Sequence, residues 1–137
     1  MASDSFKIAF ETSGKIVEAI DALRECNLDD LVMAINAIRQ KLHDISPFSG
    51  EPVDFVRWVN TAAVEANDYN PNSVAPPEME LLRISIMADG YTQPIVANSE
   101  NDKFIVIDGF HRTRVGKECE DVASRVKGYL PTKNISI

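Results

Sequence analysis

Gly90-Tyr91-Thr92-Gln93-Pro94-Ile95-Val96 and, a short way on, Ile107-Asp108-Gly109-Phe110-His111-Arg112 are the stretches from which the fold of this chain can be read. The first places a glycine stop before a β-rich run, predicting a strand over 92–97. The second closes another β-rich run, 104–107, with an Asp-Gly turn and then opens a helix from about His111 to Val126. The polar loop between them, Asn98 to Asp102, is short enough to make the two strands a hairpin. Strand, tight turn and helix in that order is an arrangement that brings a helix N-terminus to a strand end.

Working outward, Pro76-Pro77 opens a helix where a missing N–H costs little, and Gly90 ends it. Met79, Leu82 and Ile86 form its inner stripe, with Leu81 and Ile84 alongside. Asn67-Asp68-Tyr69-Asn70-Pro71-Asn72-Ser73 is a turn cluster, and Val53, Phe55, Trp58 and Val59 read as a strand or strand edge. Ser46 to Pro52 holds two prolines and a glycine and reads as a linker. Before it, residues 14–45 read as a helical hairpin. Ile16, Ile20 and Leu23 line one helix, with Ser13 as its cap; Leu31, Ile35, Ile38 and Leu42 line the other, capped by Asn27. Beyond Gly128, residues 135–137 read as a last short strand. The expectation is an α/β (α+β) protein: a small mixed β-sheet with flanking helices in residues 53–137, preceded by an N-terminal helical hairpin and linker in 1–52.

Composition narrows the function. Apolar residues make up 45% and charged residues 26% of 137, ordinary for a folded globular chain. No apolar run suits a bilayer, and the N-terminus lacks the pattern of a secretory signal, so the expected location is the cytoplasm, with no membrane partner. Cys26 and Cys119 show neither a disulfide framework nor zinc spacing. The net charge of −7 is uneven: residues 1–102 carry 7 basic and 17 acidic side chains, residues 103–137 carry 7 and 4. An acidic body disfavours tight non-specific DNA binding, so DNA is expected only as a weak contact. An anionic ligand belongs at the basic C-terminal third.

The chemistry concentrates there. A helix N-terminus presents N–H groups and the positive end of the dipole, the usual setting for a phosphate. Gly109 allows close backbone approach, Arg112 offers a bidentate, permanently charged contact, and His111 can donate a bond or move a proton. Asp108 can orient the histidine or hold a metal ion beside phosphates. Gly116-Lys117 lacks the earlier glycine of a Walker A loop.

These same stretches, with the turn at 67–72 and Lys127-Gly128-Tyr129-Leu130-Pro131, resemble the ParB N-terminal and sulfiredoxin superfamily over residues 53–131. Within it the sequence is most similar to IbrB-type, ParB-like co-activators of prophage and virulence gene expression. The resemblance implies a nucleotide, ATP/ADP or CTP, with or without Mg2+, held by Gln93, Gly109, His111, Arg112 and Arg114. It implies a phosphoadenosine-phosphosulfate-reductase-like protein partner and a role as a transcriptional co-activator. Where sulfiredoxins carry a catalytic cysteine this chain has Phe110, which argues against their chemistry. Partitioning ParB proteins carry two arginines after a glutamate where Phe110-His111-Arg112 stands, which argues against clamp formation on CTP. The His-Arg version is nearer to members that use ATP or ADP, among them a free-serine kinase. The alternative is therefore a metal-dependent nuclease or small-molecule kinase/NTPase using Asp68 (or Glu65), Asp108 and His111.

Overall fold

In the computed structural model the described residues are 3–66 and 76–135. The chain divides into two compact units, residues 1–38 and 39–137. The first holds helix α1 (Asp4–Ile20), a 3-10 turn (Asp21–Glu25) and the start of α2 (Leu28–Ile45), which continues into the second unit. Helix α1 begins earlier than its apolar spacing suggests. Its cap is Ser3, whose hydroxyl accepts from Phe6 N–H at 3.0 Å, while Ser13 lies inside the helix and donates to the Phe10 carbonyl. Asn27 caps α2 as expected, its side chain accepting from Asp30 N–H at 2.9 Å. Neither helix contains a buried residue.

The second unit is built on a five-stranded mixed sheet in the order β1-β5-β3-β4-β2. The strands are β1 (Arg57–Asn60), β2 (Val64–Glu65), β3 (Ile95–Glu100), β4 (Lys103–Asp108) and β5 (Tyr129–Asn134). Helices α3 (Pro76–Asp89), α4 (Phe110–Glu118) and α5 (Glu120–Arg125) accompany it. Helix α3 starts and stops where its prolines and glycine predict: Gly90, at φ +79°, donates to the Ile86 carbonyl at 2.7 Å. Two cores form. Val59, Val64, Ile95, Val106 and Leu130 fill the sheet's inner face, and Ile86, Val115 and Val122 join the three helices. Tyr91 packs against both.

Several boundaries depart from expectation, most of them for a local reason. The hairpin turn is only Asn101-Asp102, both at positive φ as a two-residue turn of the type I′ kind requires, so β3 runs on through the polar residues to Glu100. Its start moves to Ile95, since Pro94 supplies no N–H. The expected single helix from His111 to Val126 breaks at Cys119, which is extended. Glu120 and Asp121 then occupy the first turn of a new helix, where acidic side chains suit the dipole. The last described strand is 129–134, a strand the sequence reading did not assign; of the strand expected over 135–137, residues 136–137 lie outside the described residues. Pro131 hides it from a sequence reading, yet the parallel ladder with β3 begins only at Thr132, after the missing N–H. At the other end, residues 52–54 form a 3-10 turn, and β1 starts at Arg57.

Candidate functional site

Helix α4 begins at the end of β4 through Asp108 and Gly109. Gly109 is in the left-handed region, at φ +95°, and is the residue before the helix. Its carbonyl accepts twice from Thr113, from the backbone N–H at 2.9 Å and the hydroxyl at 2.8 Å, which locks the turn. Thr113 is buried, and the Asp108 carboxylate accepts from Gly109 N–H at 2.9 Å.

Arg112 folds back over this turn. A Cβ added at Gly109 would lie 3.0 Å from its Nη2 and 3.3 Å from its Nε, so the glycine makes room for a guanidinium as well as for a left-handed backbone. Nη2 lies 3.4 Å from the Pro94 carbonyl and 3.9 Å from Asp108 Oδ2. The Arg112 side chain is 23% exposed, Asp108 is 76% exposed, and Arg112 Nε is buried with no hydrogen-bond partner among the described residues. An arginine held this way is a charged group with unused donor capacity at a helix start.

Beside it lies an open cleft of about 410 Å³, lined by Leu82, Asp108, Gly109, Phe110, His111 and Arg112. That volume is within the range of small-ligand sites. Asp108, Gly109, His111 and Arg112 are thus brought together as their spacing suggests. Arg114 points elsewhere on α4 and pairs with Glu118 at 2.7 Å. Gln93 is exposed and is not among the described residues lining the cleft. Asp68 lies outside the described residues. Glu65, its substitute, is on β2, 3.8 Å from Lys103 Nζ. Cys119 packs at the helix junction against the Ile86–Val115–Val122 cluster, where burial raises its thiol pKa.

The sequence reading missed the supports. Tyr91 donates its hydroxyl to the Arg112 carbonyl at 2.8 Å, tying the loop before β3 to α4. Burial pushes the Tyr91 phenol far above its ordinary pKa, so it remains a donor. It crosses α4 at Gly116, where a Cβ would meet both the Tyr91 hydroxyl and Leu130 Cδ2 at 2.5 Å. Leu82 and Phe110 supply the apolar part of the cleft. Phe110 stood in view between Gly109 and His111, while Leu82 was legible only as part of a core stripe.

The ParB N-terminal domain family matches residues 48–135. The chain is 51% identical over 104 residues to the uncharacterized protein YbdM of Escherichia coli (strain K12), covering 75% of this chain and 50% of that protein. It therefore spans about half the length of this curated relative. Among solved structures it is similar to SbnI with C-terminal truncation from Staphylococcus aureus, with a TM-score of 0.47 and 19% identity, over 64% of this chain and 33% of that one. With the family match extending over well more than half of its residues, the chain belongs to the ParB N-terminal domain family.

Proposed function

We propose that this chain is a ParB-like regulatory module that holds a phosphate-bearing ligand, most readily a nucleotide, at the N-terminus of α4. The observation that carries the reading is Arg112: largely buried over a glycine at the helix start, it keeps a donor without a partner among the described residues, beside an open cleft. In use, the guanidinium swings off Gly109 toward the ligand, where its fork satisfies two phosphate oxygens. The helix dipole adds positive potential and His111 a further contact from the same turn. The apolar wall of Leu82 and Phe110 suits a base or another flat group.

By its resemblance to IbrB-type proteins the module acts as a transcriptional co-activator beside a phosphoadenosine-phosphosulfate-reductase-like protein, with ligand occupancy as the regulated variable. A thermal-shift series with ATP, ADP and CTP, each with and without Mg2+, tests the site. At least one nucleotide should stabilise the protein. Arg112→Ala should weaken that nucleotide about tenfold to a hundredfold, the loss of a charge-assisted contact. Wild-type affinity in Arg112→Ala would remove the reading. Magnesium-dependent turnover would instead favour the kinase or nuclease alternative.

A further inference from the structure

We propose that a second pocket, in the same compact unit but sharing no residue with the α4 cleft, binds a small organic carboxylate. Its oxyanion rests on Arg57 and its apolar body against Phe104 and Pro52.

Side chains two apart on a strand share a face, and directly paired residues share it across strands. The registers Val59↔Leu130 and Arg57↔Thr132 therefore put Arg57 on the face that Val59 and Leu130 bury. Thr132 pairs with Ile95 and Asn134 with Ala97, and on β4 Phe104 continues from Val106. One step beyond the packed core, this inner face turns polar. It opens there into a cavity of about 200 Å³, which Gln40 and His43 from the end of α2 and Phe55 also line.

Arg57 is the unusual member. It is half-buried on a strand's inner face, and among the described residues it makes no ion pair. Its polar contact is Gln40 Oε1 at 3.5 Å, and its guanidinium lies 5.4 Å from the centre of the Phe55 ring. The neighbouring carboxylate, Asp54, is engaged by His43 Nδ1 at 2.8 Å and not by Arg57. His43 stacks on Phe55 at 5.6 Å, which fixes the ring. Thr132 is taken up by the strand pair, donating to the Arg57 carbonyl at 3.1 Å.

A partly desolvated cation lacking a counter-charge favours an anion, and a planar fork favours a planar carboxylate. Asn134 at the rim adds an amide donor. The size selects further, because the cavity is smaller than the roughly 300–1,000 Å³ typical of drug-sized ligands. It suits a short branched or single-ring acid better than a nucleotide.

Amide-resolved NMR titration of the whole chain tests this, with benzoate and isovalerate as probes and benzamide and inorganic phosphate as comparators. At least one acid should shift the amides of Phe55, Arg57, Thr132 and Asn134 saturably and leave residues 109–113 in place. Benzamide should bind about tenfold more weakly, and Arg57→Gln should weaken the acid by about tenfold or more. If Arg57→Gln loses its dispersed spectrum, Arg57→Lys carries the test, with charge kept, fork lost and affinity reduced about threefold or more. No saturable shift by either acid would overturn the proposal. So would equal binding of benzamide, or the same shifts from phosphate alone.

Discussion

Asp108 and Arg112 stand four residues apart with Gly109 beneath them, and each restrains the site in its own way. The Asp108 carboxylate takes the Gly109 N–H that a phosphate would use, and its charge lies close to where the ligand's charge would be. Removing it should therefore help binding. Asp108→Ala is expected to raise the affinity for a magnesium-free nucleotide about threefold, measured by calorimetry, since one unit of local repulsion disappears near a helix start. The same substitution should abolish turnover if Asp108 holds a catalytic metal ion, so binding and activity would then move in opposite directions. Unchanged binding would mean that Asp108 and the ligand do not share the turn.

At the level of elements, α4 is fastened to the sheet by contacts that allow little slack. Gly116 lets the helix approach Leu130 and the Tyr91 hydroxyl, and Lys117 donates across to the Val64 carbonyl. Gly116→Ala should destabilise the protein by about 1–3 kcal/mol in chemical denaturation, the usual cost of overpacking a filled interior. Since the displaced Tyr91 holds the Arg112 carbonyl, nucleotide affinity should fall along with stability. The end of α2 is fastened by a hydrogen bond between His43 Nδ1 and Asp54 Oδ2 at 2.8 Å. The His43 hydrogen bond holds the Asp54 carboxyl below its ordinary pKa of 3.8. A carboxyl lowered in the folded state stabilises above its unfolded pKa, and that stabilisation is lost as pH falls through the folded value. His43→Leu should accordingly reduce the loss of stability seen below about pH 4 in acid titrations. An unaltered acid limb would show that the pair contributes nothing.

For the whole molecule, charge and surface carry the argument. No described helix is long and apolar enough to cross a membrane. The net charge of −7 sits on a body whose acidic excess lies in residues 1–102, with a basic excess only in 103–137. Random-sequence duplex DNA at physiological salt should produce no mobility shift at micromolar protein, because too few phosphates can be neutralised. A shift that vanished in Arg112→Ala would assign the basic turn to DNA instead of a small ligand. In α1, Phe6, Ile8 and Phe10 are all more than half exposed.

Local chemistry was enough to specify several features of this protein. Gly90 and Gly109 need left-handed backbone, Pro76-Pro77 suit a helix start, and Asn27 suits a cap; each depends on a few neighbouring atoms and can be read one residue at a time. The grouping of Asp108, Gly109, His111 and Arg112 followed from the same logic, because a turn and the helix after it are contiguous. Tertiary structure alone decided the rest. Pro131 lies in an inner strand because its missing N–H precedes a ladder formed with β3, more than thirty residues away in the chain. Arg57 meets a cavity because its register with Thr132 turns it inward. Arg112 is largely buried because Gly109 leaves space above its Cα and Tyr91 holds the helix from behind. These outcomes depend on pairings between distant segments, and side-chain identity along the chain does not encode a register until the strands have met.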